Sequence, residues 1–176
     1  MSQEHDSRLL EEDLEMKKTV FQTVIDNLSE AGTAYTLLEH EPVYTMEQAR
    51  EVCGNLPEQG VKVLFAKAYK SKKAFEYFLI VWTGNKQVDF QQIAGSLGVK
   101  KTKLASPEEV KAELGIEIGA LSPFGYRGSY PVAFDKVLLE QQELFINPGV
   151  HDKTIKINPN DLREMIEQSA SVLHLL

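Results

Sequence analysis

Two strand-length apolar runs lie side by side in the middle of the chain, VKVLFAKAY (61–69) and FEYFLIVW (75–82), separated only by KSKKA. The first alternates, with Val61, Val63 and Phe65 on one face. The second is apolar almost throughout after Glu76, the pattern of a strand buried on both faces. Together they predict a hairpin at the centre of a layered domain. This hairpin limits the fold more than any other feature, because both of its faces need covering.

The flanking segments supply the cover. Leu10, Leu14, Phe21, Val24 and Leu28 recur at helical spacing, which predicts one amphipathic helix ending near Gly32. YTLLEH (35–40) reads as a short strand. Thr45 and Gln48 form a capping box that opens a short helix to about Cys53. Asp89 caps a helix over FQQIAGSLG, and Ser106-Pro107-Glu108-Glu109 starts another that ends at Gly115. YPVAFDKVLL (130–139), ELFINPG (143–149) and KTIKI (153–157) read as strands, and Asn158-Pro159 opens a last helix through LREMIEQSASVLHLL. Strands and helices mix without strict βαβ alternation. The expected fold is one α/β domain with a mixed, largely antiparallel sheet flanked by helices.

A length of 176 residues fits one domain, and a hydrophobic fraction of 43% is enough for a core. No apolar run reaches the roughly 18 residues of a membrane span. The acidic, polar N-terminus is unlike a signal peptide, so a cytoplasmic location is expected. The net charge of −7 is unevenly spread. Residues 1–60 hold 4 basic and 13 acidic side chains, and residues 104–176 hold 6 and 11. Residues 62–103 hold nine lysines against Glu76 and Asp89. Such a basic middle either faces an anion or is a solvated, aggregation-resistant surface.

Several chemistries have no motif here. There is no GxGxxG after a strand, no GxxxxGK[ST] and no GxSxG elbow. His5, His40, His151 and His174 lack close metal-ligand spacing, and Cys53 is the sole cysteine. Neither a metal nor a cofactor is expected, and Cys53 reads as a small half-buried residue rather than a nucleophile.

One stretch remains, GIEIGALSPFGYRG (115–128), with four of the 11 glycines. Gly119 and Gly125 permit positive φ, and Pro123 fixes φ between them. Such a loop either makes a tight connection or points consecutive N–H groups outward toward a carbonyl or developing oxyanion. Lys62 alternates away from Val61 and Val63, toward solvent or a cleft.

In combination these pieces resemble the YbaK and prolyl-tRNA synthetase editing-domain superfamily. HEPVYTMEQA (40–49) is similar to its histidine-x-proline opening, and VKVLFAK (61–67) to its lysine-bearing strand, with Lys62 at the lysine position. LGIEIGALSPFG (114–125) resembles its GxxxP loop with the Phe-Gly of freestanding ProX-type members, and PVAFDKVLL and LFINPGVHDKTIKINPNDL resemble its closing strands and last helix. The resemblance covers about residues 35–170. It implies a division into an N-terminal helical extension (1–32) and an editing-like domain (33–176).

The resemblance further implies hydrolysis, in trans, of the ester between a wrong amino acid and the terminal adenosine of tRNA. Binding alone separates amino acids that differ by a methylene by only about 1–3 kcal/mol, so a second, hydrolytic site is needed. The backbone of Gly119, Ala120 and Leu121 would stabilise charge on the ester, and Lys62 would hold the terminal nucleotide. The family is thought to use a substrate hydroxyl and a water rather than a protein nucleophile. Substrate contacts carry over to Pro123, Phe124, Gly125, Val63, Asn147, His151 and His40. Lys67, Lys70, Lys72 and Lys73 would track the acceptor stem through weak, salt-sensitive phosphate contacts. Two positions depart from the pattern: Val63 replaces a Thr or Asn, and Asn147-Pro148 stands where alanine-clearing members have His-Pro. A small amino acid, on proline tRNA or another, is the expected substrate. A non-catalytic module binding a tRNA end, a nucleotide or an amino acid is the alternative, and the extension leaves a homodimer open.

Overall fold

The central hairpin is the longest antiparallel ladder among the described residues. The computed structural model describes residues 18–176. In it β2 (Val61–Tyr69) and β3 (Phe75–Thr83) pair antiparallel over their whole length, from Val61 opposite Thr83 to Tyr69 opposite Phe75. Both faces of β3 are buried, as its apolar run predicts. Leu79 and Val81 point to the larger core, with Phe65, Phe134, Ile155 and Ile166. Phe78, Ile80 and Trp82 point to a smaller one, capped by Ile93. Burying such a side chain contributes roughly 1.5–3 kcal/mol.

The remaining elements frame this pair. They are α1 (Val20–Glu30), β1 (Tyr35–Glu39), α2 (Met46–Cys53), α3 (Phe90–Leu97), β4 (Lys101–Leu104), α4 (Pro107–Leu114), β5 (Pro131–Phe134), β6 (Leu144–Ile146), β7 (Lys153–Ile157), α5 (Pro159–Ser169) and β8 (Val172–Leu175). Two sheets form where one was expected. The five-stranded sheet runs β4-β2-β3-β5-β8, and the three-stranded sheet runs β1-β7-β6. Four ladders are antiparallel, while β3–β5 and β5–β8 are parallel. Among the described residues a single bridge, Gly60 to Phe145, ties the two sheets together at the start of β2.

Local chemistry accounts for the elements that differ from expectation. Of the helix expected from Leu10 to near Gly32, the described residues hold Val20–Glu30. Thr19 caps it with a reciprocal Thr19–Gln22 box, so it starts at Val20; Leu10 and Leu14 lie outside the described residues. The last helix stops at Ser169. Residues 172–175 join β5 as a parallel edge strand, with Ser171 donating to Tyr130 O and Leu176 to Phe134 O. The hydrogen bonds offered by β5 outweigh the weak helix preference of that tail. The PVAFDKVLL run is a strand only as far as Phe134. Asp135 then caps a 3₁₀ turn, accepting from Val137 N. Lys101–Leu104, too charged to stand out as a strand, pairs along the outer edge of β2.

Candidate active site

The cavity opens where the two sheets meet. It holds about 300 Å³ and takes its walls from the start of β2, the 118–121 loop, α2 and the end of β6. Most of the lining is apolar, including Val61, Val63, Phe65, Leu121 and Ile146. The size suits a small ligand. Tyr44, 66% exposed, stands at the mouth with Met46 and Ile118. Among the described residues no three His, Cys, Asp or Glu side chains gather as a metal site.

The loop opposite β2 answers the question its glycines raise. Gly119 has φ +92°, and a Cβ there would meet only His151 Cε1 at 3.6 Å and Tyr44 O at 3.7 Å. Conformation, not crowding, therefore requires glycine at 119. The loop's amides do not all face outward as expected. Ala120 donates to Glu117 O at 3.2 Å, and Ser122 donates to the Tyr126 hydroxyl at 2.8 Å. That hydroxyl returns its own hydrogen to Ser122 O, and burial pushes the phenol well above its usual range. Pro123 has no N–H. None of the hydrogen bonds among the described residues uses the amides of Gly119 or Leu121, and both residues line the cavity. The donors available on that wall thus alternate, with buried Ala120 as the brace between them.

Lys62 lies on the rim. Its ammonium donates to Lys86 O at 2.8 Å, and burial lowers its pKa from the ordinary lysine value. Lys86 is itself anchored, donating to Asp135 Oδ2 at 3.2 Å. Burial pushes the Asp135 carboxyl up, but hydrogen bonds from Thr83, Val137 and Lys86 outweigh this and hold it below the usual range. The chain Asp135–Lys86–Lys62 fixes the lysine's reach.

Asn147 and His151 serve the loop rather than the open space. Asn147 accepts from Gly149 N and Val150 N, and its Nδ2 reaches Gly119 O at 3.4 Å. It lines the cavity while clamping the two loops together. His151 donates from Nδ1 to Val43 O at 3.2 Å and packs on the Tyr44 ring at a 4.5 Å centroid distance. His40 lies behind the wall. Its Nδ1 is 2.7 Å from Glu41 O, and because a carbonyl only accepts, Nδ1 is the donor. On the neutral ring Nε2 then accepts from Thr154 Oγ1, 2.9 Å away. Thr154 is 7% exposed and lines the cavity. With its hydrogen committed to His40, Thr154 offers the cavity a lone pair. No motif marks Thr154 in the sequence; its burial in β7 is what obliges the hydroxyl to find a partner.

Other expected contacts lie elsewhere. Pro123, Phe124 and Gly125 are away from the cavity. Phe124 is a core residue, and Gly125, with φ +97°, receives α1: a Cβ there would sit 2.5 Å from Val24 Cγ2. Lys67 is clasped by Glu109 at 2.8 and 3.0 Å, with its side chain only 14% exposed, so it does not present a free charge to RNA. Lys70 pairs with Glu76, and Lys72 and Lys73 are exposed on the hairpin turn. That turn lies about 26 Å from Lys62 by strand rise.

With this geometry in hand, comparison with known proteins gives a consistent result. A family model described as aminoacyl-tRNA editing domain matches residues 40–165. The chain is 28% identical over 154 residues to the prolyl-tRNA editing protein ProX of Acetoanaerobium sticklandii, covering 85% of this chain and 92% of that one. It is 30% identical over 141 residues to the multifunctional Ser/Thr-tRNA deacylase ProXp-y of Escherichia coli K12, covering 80% and 84%. A crystal structure of a candidate trans-editing enzyme for prolyl-tRNA synthetase superposes with a TM-score of 0.74 at 23% identity, over 88% of this chain and 95% of that one, a likeness of fold alone. The cavity, its lysine and its glycine loop therefore sit on a recognised scaffold, and the chain belongs to the aminoacyl-tRNA editing domain family.

Proposed function

We propose that this protein hydrolyses, in trans, the ester of tRNA carrying a wrong small amino acid. The observation that carries the proposal is the pair of uncommitted amides, Gly119 and Leu121, on the wall of an apolar cavity with Lys62 at its rim. Donors fixed in a water-poor site stabilise a developing oxyanion without reorganising, which is worth about 10²–10³-fold per donor. Lys62, desolvated and held by Lys86 O, supplies positive charge near the sugar or phosphate of the terminal nucleotide. Thr154 accepts from the substrate's α-ammonium or from a side-chain hydroxyl. Water attack on the ester breaks the acyl–oxygen bond and releases the amino acid and the free ribose hydroxyl. The name of one relative, a Ser/Thr-tRNA deacylase, supports serine or threonine as the amino acid removed, and that of the other, a prolyl-tRNA editing protein, supports proline tRNA as a carrier. Among the described residues no helix is long and apolar enough to cross a membrane, which agrees with a freely diffusing enzyme.

The test is deacylation of alanyl-, seryl-, threonyl- and cysteinyl-tRNA for proline, with correctly charged prolyl-tRNA as control. Wild type and Lys62→Ala are run together at low salt. The expected result is hydrolysis of at least one wrong pair, sparing of prolyl-tRNA, and a fall of about 10²-fold in the variant. Equal rates in the two proteins would remove Lys62 from the mechanism. No turnover on any pair, together with measurable binding of uncharged tRNA, would favour a binding module of the same fold.

A further inference from the structure

The hairpin face that lines the cavity continues past it as a row of aromatic and basic side chains. Residues directly opposite each other in an antiparallel ladder share a face. Val61, Val63 and Phe65 therefore share theirs with Lys67 and Tyr69, with Tyr77 and Phe75 opposite on β3, and with Lys103 and Lys101 opposite on β4. The rings touch in sequence. Phe65 stacks on Tyr77 at 4.9 Å, Tyr77 meets Phe75 edge-on at 5.1 Å, and Phe75 meets Tyr69 at 5.4 Å. Cations sit over the outer rings, with Lys67 5.2 Å from Phe75 and Lys101 5.1 Å from Tyr69. Phe75, the first residue of β3, is 41% exposed. Lys101 and Lys103 are exposed, about 6.6 Å apart along one edge. Next in the chain comes Leu104, which already lines the cavity.

Lysines on an edge strand are explained by protection against aggregation. The open ring of Phe75, with half-buried Tyr69 beside it, is not. Rings interleaved with cations on an accessible sheet face are what unpaired nucleotides require, because each base stacks on a ring while its phosphate meets a lysine. Leu104, exposed on the same edge and lining the cavity, is about 10 Å from Lys101 by strand rise, a gap that a short run of extended nucleotides spans.

We propose that Tyr69 and Phe75, with Lys101 and Lys103 on the β4 edge, form a stacking platform for the unpaired nucleotides that precede the esterified adenosine. This rests on the deacylase reading for the identity of the RNA, but not for the binding itself. The platform would hold the single-stranded 3′ end by stacking, leaving the terminal sugar at the cavity mouth.

The test uses a fluorescein-labelled single-stranded RNA ending in CCA, uncharged, titrated by anisotropy at low salt. Wild type is compared with Phe75→Ala and with a Lys101→Ala/Lys103→Ala double variant. Phe75→Ala is expected to weaken binding about tenfold or more. The double variant should lower the salt slope by about 1 per lysine. On aminoacyl-tRNA, Phe75→Ala should raise KM and leave kcat unchanged, and it should hydrolyse aminoacyl-adenosine, which lacks the preceding nucleotides, as wild type does. Affinity for the oligomer unchanged in both variants would overturn the proposal, as would equal binding of blunt double-stranded RNA. Oligomer binding that is lost in Phe75→Ala, in a protein that deacylates nothing, would keep the platform and discard the deacylase. Deacylation that ignores Phe75→Ala in both KM and kcat would do the reverse.

Discussion

The two ends of the central hairpin share a backbone ladder and differ in nearly everything else. At the cavity end Lys62 is partly desolvated, its ammonium tied to a backbone carbonyl and its pKa lowered. At the turn end Lys72 and Lys73 are exposed, and Lys70, exposed too, pairs with Glu76. A charge that must hold the terminal nucleotide beside the reacting ester gains strength from leaving water, since attraction scales inversely with the local dielectric. A charge that must only meet a phosphate loses little by staying wet, and salt then sets its worth. One pair of strands thus presents lysine in two electrostatic states. The largest expected effect, the loss of about 10²-fold in turnover for Lys62→Ala, belongs to the drier end.

Next in size is a contrast within the glycine loop. Gly119→Ala strains the backbone at φ +92° but meets nothing closer than 3.6 Å. Gly125→Ala faces the same strain and also a collision with Val24 at 2.5 Å. Gly125→Ala should therefore cost about 2–4 kcal/mol of stability and little specific activity per folded molecule. Gly119→Ala should cost about 1–3 kcal/mol of stability and should also depress kcat, because it moves the amide on the cavity wall. Thermal melts beside single-turnover rates separate the two. A Gly119→Ala protein with full kcat would break the assignment of this loop to chemistry.

A smaller effect sharpens the picture of the apolar wall. Thr154→Val keeps the shape and removes the hydroxyl shared with His40. It should cost about 1 kcal/mol of stability and raise KM several-fold for substrates whose ammonium or hydroxyl needs an acceptor. If KM is unchanged for every amino acid tested, Thr154 is a structural partner of His40 and nothing more.

How much of this could be read beforehand depends on how local each signal is. The hairpin and the caps at Thr45, Asp89 and Ser106 rest on neighbouring residues, so periodicity and capping chemistry give them directly, whereas for Lys62 alternation leaves solvent or a cleft open and only the family resemblance points to a site. The strand at 172–175 rests on hydrogen bonds to β5, some forty residues away, and no local pattern announces that. Lys67 shows the same limit at a site. Its place in a basic segment suggested RNA, but Glu109 of α4 takes the charge through a contact made only by folding. The amides of the glycine loop were legible as a group. Which of them stay uncommitted depends on Glu117 O and the Tyr126 hydroxyl, and so on the three-dimensional path of the loop.

Lys67 also gives the comparison an acid-side check. Hydrogen bonds from Lys67, then from Ser106 N and Tyr77, lower the Glu109 pKa from 4.5 to about 2 despite some desolvation. A carboxylate depressed in the folded state contributes stability above its unfolded pKa and loses it as pH falls through the folded one. Wild type should thus be more stable than Glu109→Gln at pH 6, with the gap closing between pH 4.5 and about 2. A gap that stays constant over that window would mean that the Lys67–Glu109 pair contributes shape rather than charge.

The smallest effect belongs to the wet end, and it is informative because it should be so uniform. Lys72→Ala/Lys73→Ala removes two exposed charges at the turn, about 26 Å from Lys62 by strand rise. If they meet only phosphates, the variant should bind every tRNA more weakly by a similar small factor, with kcat untouched and the choice among amino acids unchanged. The slope of log KM against log salt should fall by about 1 for each lysine that makes a contact. A slope equal to wild type would mean that the turn lysines are surface charge that keeps the hairpin tip in water. A variant with altered amino-acid preference would be more disruptive, since it would couple the two ends of the hairpin through β2 and β3 and end their division into a site of chemistry and a site of attachment.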